Sequence, residues 1–155
     1  MTFKLEGRVI FLATNNIHKF NEARLLLNEY KISVGMLRIK SLEIQSENLE
    51  DIARASVVDA FQKCRLPVIV EDAGLFIDIL KGFPGPYAAY VYKTIGNRGL
   101  LRLMRGFADR KAEFRSVIAY ESSTHEQPIC FGGEAAGQIV REERRGAPFM
   151  TAIDG

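Results

Sequence analysis

The sequence of 155 residues has few of the features that are typical of metal-binding, membrane-spanning or nucleic-acid-binding proteins. Two cysteines without metal-type spacing favour free, buried thiols in a reducing cytosol, and two histidines are too few for a histidine-rich metal centre. No apolar run reaches the roughly 18 residues that a membrane-spanning helix needs. The net charge is only +2, whereas duplex-binding proteins concentrate basic residues on one face. We therefore expect a soluble, cytoplasmic protein that binds neither membranes nor nucleic acid.

Common nucleotide-binding motifs are missing too. The sequence contains no G-x-x-x-x-G-K-[ST] motif, which leaves a Walker-type NTPase unsupported. No G-x-G-x-x-G motif follows a predicted strand, so there is no dinucleotide fingerprint. The spacing of residues also reveals no Ser/His/Asp or Cys/His arrangement for nucleophilic catalysis.

What the sequence does contain is an alternation of short apolar runs and amphipathic segments, with 47% apolar residues to form a core. We predict an α/β or α+β fold with a mixed sheet, in a single domain spanning residues 1–155. The segment 32–44 is predicted to be extended but irregular, and the segment 82–86 is predicted not to form regular structure. The predicted strands are 9–13, 68–70, 112–121, 128–131 and 135–140, and the predicted helices are 18–30, 48–63 and 98–106.

The first candidate site joins the strand 9–13 to the helix 18–30. Such a junction exposes the first backbone N–H groups of the helix, which attract anions. Uncharged donors and a lysine suited to phosphate lie there, but the same residues fit an ordinary N-cap with a surface lysine, and the histidine could equally lie in solvent. The residues of this loop are Thr14, Asn15, Asn16, Ile17, His18 and Lys19.

The second candidate site consists of acidic residues. Glu71 and Asp72 follow the apolar run 68–70, where they either lie in a solvated loop or meet a cation. Their side chains would point to opposite faces of a strand, so at most one reaches a given site. Glu43, between apolar neighbours, is either an exposed strand residue or a further ligand. Mg²⁺ binds one or two carboxylates with substrate phosphates, and would let these acids lie near an anionic substrate.

Three motifs in chain order resemble the inosine/xanthosine triphosphate pyrophosphatase family. The first is T-x-N-x-x-K-x-x-E, from Thr14 to Glu22. The second is V-E-D-A-G-L-F at 70–76, followed by G-F-P-G-P-Y at 82–87. The third is F-G-G-E with G-Q-I, within 131–139.

The resemblance implies a long, twisted mixed sheet flanked by helices, two lobes with a central cleft, and a homodimer. It implies hydrolysis of non-canonical purine nucleoside triphosphates to the monophosphate and pyrophosphate with Mg²⁺. By position, Asp72 matches the catalytic proton acceptor and a metal ligand, and Glu43 matches the other metal ligand. The loop from Thr14 to Lys19, together with Ala73, matches the substrate-binding residues.

The sequence departs from this family in three places. Ala73 stands where relatives often carry Ser or Thr, and Ser56 where many carry a substrate-contacting Lys. After Gly146, the family's F-G-[YFW]-D-P, Lys and S-H-R residues, which hold the purine base, are absent. We therefore expect a complete phosphate and metal half with an incomplete base pocket. The alternative is a catalytically weakened or inactive nucleotide-binding protein on the same scaffold.

Overall fold

The computed structural model describes residues 8–144 and the backbone of Ile153 and Asp154. In this part of the chain, seven strands form one sheet in the order β2-β1-β3-β5-β6-β7, with β4 paired to β3. The strands are β1 Arg8–Ala13, β2 Ile32–Leu37, β3 Val68–Ile77, β4 Pro84–Gly85, β5 Lys111–Glu121, β6 Ile129–Ile139 and β7 Ile153–Asp154. The helices are α1 Ile17–Asn28, α2 Leu49–Cys64, α3 Ala88–Thr94 and α4 Gly96–Leu103, with a 3₁₀ turn at Asp78–Leu80.

The sheet is mixed, as predicted. β1 pairs in parallel with β2 along its whole length and with β3 at two positions, whereas β3–β4 and β6–β7 are antiparallel pairs. The described residues form two compact units, in agreement with the two lobes expected. The first contains 8–45, 50–71 and 118–131, and the second contains 46–49, 72–117 and 132–144.

The core of the first unit is built on the central strands and one face of α2. Leu12 of β1 and Val68 of β3 are buried, as strands within a parallel sheet usually are. On α2, Ala53, Val57 and Ala60 are fully buried. Their spacing of four and three residues places them on one face of the helix, which is the amphipathic pattern that the sequence predicted.

The core of the second unit combines strand and helix residues, which are Leu75, Ile77, Ala88, Leu100, Met104, Ala112 and Ile139. Arg110 lies buried beside this core with 7% of its surface exposed. Its guanidinium donates to the carbonyls of Ile139 at 2.7 Å, Val140 at 2.7 Å and Met104 at 3.1 Å. Burial lowers the pKa of Arg110, and these carbonyls replace the water that the cation has lost.

The segment 32–44 is extended in its first part, as predicted, but this part is the regular strand β2, so the prediction of irregular structure there is wrong. Gly35 in the middle of this strand weakens a prediction made from propensity alone. In the structure, a Cβ atom at Gly35 would lie 2.6 Å from the ring of Phe11. The glycine therefore makes room for an aromatic side chain of the neighbouring strand.

The prediction that a strand ends at Glu71-Asp72 is also wrong. β3 continues through both acids to Ile77, because the apolar residues beyond them are needed in the core. Leu75 and Phe76 of β3 pair with Gly85 and Pro84 of β4. β4 is the only regular element within the segment 82–86, which was predicted to be irregular.

Three smaller differences concern glycines, a helix and thiols. β6 is one strand where two were predicted around Gly132-Gly133, since both glycines continue the strand. α3 was not predicted at all. Cys64 and Cys130 are free, but partly exposed instead of buried. No helix in the described part of the chain is long and apolar enough to cross a bilayer.

Candidate functional site

The loop after β1 is organised by Asn16. Its backbone is extended, and its side-chain Oδ1 accepts hydrogen bonds from the N–H groups of His18 at 3.0 Å and Lys19 at 3.2 Å. The Asn16 N–H in turn donates to Oγ1 of Thr14 at 3.1 Å. The N-cap interpretation is therefore confirmed. Asn15, Ile17 and His18 are exposed on this loop.

Lys19 is not the free surface lysine that the simpler interpretation assumed. Its Nζ lies 2.6 Å from Oε2 of Glu71 and 3.2 Å from the main-chain oxygen of the same residue. The side chain of Lys19 is 34% exposed and that of Glu71 is 18% exposed. A cation at the start of α1 is thus joined to an acid inside β3.

The two adjacent acids have different surroundings, as strand alternation predicts. Glu71 meets the Lys19 ammonium, whereas Oδ1 of Asp72 accepts a hydrogen bond from the N–H of Ala73 at 3.1 Å. Asp72 and Ala73 are both partly buried. Asp72 therefore lies within a strand, and its carboxylate is oriented by the backbone of the next residue.

Glu43 is exposed, in a segment without regular structure between β2 and α2. The residues before it are tied to α2. Ser41 and Ser56 share a hydrogen bond of 2.8 Å between their hydroxyls, and Ser56 is 9% exposed. Ser56, the serine noted above as a departure from the resembled family, therefore anchors the segment that bears Glu43.

Asp59 provides a second anchor for the same segment. Its Oδ2 accepts from the Leu42 N–H at 2.8 Å and from the Lys63 ammonium at 2.8 Å, while Lys63 also donates to the carbonyl of Lys40 at 2.6 Å. Ser56, Asp59 and Lys63 lie on one helix face because they are three and four residues apart. The hydrogen bond from Lys63, with that from Leu42, holds the pKa of Asp59 below its usual range.

We expect Asp59→Asn to lower the Tm by a few degrees at neutral pH, because it removes an ion pair and weakens the acceptor for Leu42. Since the folded-state pKa of Asp59 is lowered, its stabilisation is present above the ordinary aspartate pKa. It is lost as the pH falls through the folded-state pKa. The Tm difference between the two proteins should therefore shrink in acid, as thermal scans at several pH values would reveal.

A matched control for that experiment is Glu47→Gln, which neutralises an exposed acid in the same segment. This variant should change the Tm little at any pH. Equal responses of the two variants across the pH range would contradict a specific role for Asp59.

The roles of Glu71 and Asp59 were not predicted from the sequence. For Asp59 a signal existed, since an acid four residues before a lysine on one helix is a standard pairing pattern. For Glu71 no local signal was available, because its partner lies 52 residues earlier in the chain. Within the described residues, no three His, Cys, Asp or Glu side chains gather into a metal-binding group. The expected loss of base-recognition residues after Gly146 lies outside the described residues.

Comparison with known proteins decides the family. The sequence profile of the Ham1 family matches residues 10–150. A dITP/XTP pyrophosphatase from Methanopyrus kandleri is 46% identical over 135 residues, covering 87% of this chain and 71% of that protein. The chain belongs to the Ham1 family.

Two further relatives of this Ham1 chain support the same family assignment. A dITP/XTP pyrophosphatase from Hyperthermus butylicus is 44% identical over 140 residues, which cover 90% of this chain and 73% of that protein. The solved structure of a HAM1 protein from Coxiella burnetii superposes with a TM-score of 0.78 at 25% identity, covering 92% of this chain and 78% of that one. The resemblance inferred from three sequence motifs, and the fold that it implied, are thereby confirmed.

Proposed function

We propose that this Ham1-family protein hydrolyses the non-canonical purine nucleotides dITP, XTP and ITP to the monophosphate and pyrophosphate. The observation that carries the proposal is the ion pair of 2.6 Å between Lys19 of the capped loop and Glu71, the residue before Asp72. It supports a loop built to receive phosphate, in a chain that is 46% identical to an enzyme named for this reaction.

In this proposal the loop from Thr14 to Lys19 binds the triphosphate. Backbone N–H groups at the start of α1 and the partial positive charge of the helix end favour an anion there. Asn15, Ile17 and His18 are exposed, so a substrate can approach this segment, although the N–H groups of His18 and Lys19 already donate to Asn16. Lys19 adds a full positive charge. Ala73 is included among the substrate-binding residues on the family resemblance, without the hydroxyl that relatives often carry there.

We further propose that Glu43 and Asp72 hold Mg²⁺. Their carboxylates supply the hard oxygen ligands that this ion prefers, and two protein carboxylates completed by phosphate oxygens and water are its usual set. The local hydrogen bonds fit such a role, because Ala73 orients Asp72 and the anchors on α2 hold the segment before Glu43. When bound, the ion supplies charge neutralisation between these acids and the triphosphate.

Asp72 is our proposed proton acceptor. A water molecule attacks the α-phosphorus, and its proton passes to the Asp72 carboxylate. The new bond joins the water oxygen to the α-phosphorus, and the bond from this phosphorus to the oxygen bridging to the β-phosphate breaks. Pyrophosphate leaves and the nucleoside monophosphate remains. A positioned base of this kind contributes a factor of about 10² to 10⁴ to the rate.

The test is product analysis with dITP, XTP, ITP and GTP, with and without Mg²⁺, in water enriched in ¹⁸O. We expect equal amounts of monophosphate and pyrophosphate, with the label in the monophosphate. Release of orthophosphate, or label in pyrophosphate, would exclude the proposed bond cleavage. Nucleotide binding by calorimetry without turnover at any Mg²⁺ concentration would instead identify a binding protein.

We also retain the homodimer and the single-domain organisation as proposals. The dimer rests on the family resemblance, and light scattering of the eluted protein measures its mass directly. A monomer at all concentrations used in the activity assay would reject it.

A further inference from the structure

We propose that Glu71 is a positioning residue for Lys19, which fixes the lysine ammonium before a phosphate arrives. The inference rests on the proposed function, in which Lys19 binds the triphosphate. Glu71 thereby has a role of its own, and Asp72 keeps the roles proposed above.

Lys19 is held both at its backbone and at its ammonium group. Its backbone N–H donates to Oδ1 of Asn16 at 3.2 Å, and its Nζ contacts Oε2 of Glu71 at 2.6 Å. A lysine side chain has a flexible four-carbon stem and loses much rotamer freedom when it is immobilised. Here that freedom is already restricted in the protein itself, so a substrate would not have to impose the restriction.

The ammonium of Lys19 has more donors than its contacts with Glu71 use. Nζ carries three N–H groups. One is directed at the carboxylate of Glu71 and another at the main-chain oxygen of the same residue, at 3.2 Å. The third remains for a phosphate oxygen without breaking the ion pair. Glu71 therefore orients the lysine and leaves it able to bind.

Glu71, which holds the Lys19 ammonium, is itself part of a regular strand. Glu71 lies inside β3, immediately after Val70, which is 4% exposed. A side chain on a strand positions its partner more accurately than one on a loop. The side chain of Glu71 is only 18% exposed, which limits the access of solvent to the ion pair. Orientation by Glu71 should accordingly influence the reaction step more than the encounter with substrate, which depends on the charge of Lys19.

The kinetic test compares Glu71→Gln with the native protein. The variant keeps the size of the side chain and the charge of Lys19, but it loses the ion pair. We expect kcat for dITP to fall about tenfold while KM changes less than threefold, because a misplaced group costs transition-state stabilisation more than binding. The control is Glu50→Gln, which breaks another ion pair of the same unit, at 2.8 Å from Arg54, and should change kcat less than twofold.

A double-mutant cycle separates positioning from general structural damage. In a Lys19→Met background, Glu71→Gln should change kcat less than twofold, since the group that it positions is gone. A tenfold loss in both backgrounds would overturn the inference. An effect of Glu71→Gln no larger than that of Glu50→Gln would overturn it as well, and so would a rise in KM without a fall in kcat.

A second measurement does not depend on turnover. The ¹H–¹⁵N signal of the Lys19 side-chain ammonium should be visible in the native protein, where the ion pair slows proton exchange, and lost in Glu71→Gln. If the native protein releases no pyrophosphate but this signal behaves as expected, the proposed function fails and the positioning of Lys19 stands. If the signal is the same in both proteins, the positioning role is wrong.

Discussion

Asp72→Asn should reduce pyrophosphate release from dITP by about 10³-fold or more in kcat, if Asp72 is both proton acceptor and metal ligand. Asparagine has the same shape, and its Oδ1 can still accept the hydrogen bond from Ala73 that the structure places at 3.1 Å. It cannot take up a proton at neutral pH, and it offers a metal ion no negative charge. The loss should therefore appear in single-turnover rates, with the Tm nearly unchanged.

The matched control for this prediction is Asp109→Asn. Oδ1 of Asp109 also accepts a backbone hydrogen bond, from Lys111 at 3.0 Å, in the same unit of the protein. This variant should keep its activity within about twofold. If Asp72→Asn retained a tenth of the native rate, Asp72 could not be the proton acceptor, and the catalytic assignment would have to be abandoned.

Gly74→Ala should destabilise the protein by about 3 kcal/mol, at the upper end of the cost of overpacking. An added Cβ would lie 2.7 Å from the carbonyl oxygen and 2.9 Å from the carbonyl carbon of Gly85. Both atoms belong to the backbone of β4, so no side-chain rotation can relieve the overlap. A loss of this size corresponds to a Tm decrease of about 10 °C for a domain of this length. Urea unfolding and thermal scans would measure it.

Gly133→Ala is the control, because Gly133 is also inside a strand but a Cβ there would meet nothing within 4 Å. That variant should stay within about 0.5 kcal/mol of the native protein. The overlap at Gly74 should also separate Leu75 from Gly85, and hydrogen exchange at β3 would detect the loosened pair. Equal stability of the two variants would mean that β4 can move away at little cost.

The parts of the fold that sequence could predict are those determined by local pattern. The apolar run at 68–70 and the buried stripe of α2 were predicted correctly, because periodicity alone specifies them. The end of β3 was not, since two adjacent acids resemble the end of a buried strand. Inside the folded protein one of them meets Lys19 from a distant part of the chain, and this contact allows the strand to continue.

In the candidate site, too, features that depend on neighbouring residues were predictable and features that depend on distant residues were not. The cap at Asn16 was predictable because it depends on residues two and three positions away. The assignment of Asp72 and Glu43 came from family resemblance and not from spacing. The anchors that support Glu43 were missed, because Ser41 and Ser56 are ordinary polar residues until α2 brings their hydroxyls to 2.8 Å. Long-range pairs of this kind produce no recognisable sequence pattern in either segment.

The buried arginine has a consequence for anyone who compares or redesigns such chains. The planar, fork-shaped guanidinium of Arg110 donates to three carbonyls at once, those of Met104 after α4, Ile139 at the end of β6 and Val140 just beyond it. A lysine ammonium is a point charge on a flexible stem and has no such fork. Substitution tables score arginine and lysine as near equivalents. An alignment scored with them therefore understates how poorly a lysine could replace Arg110.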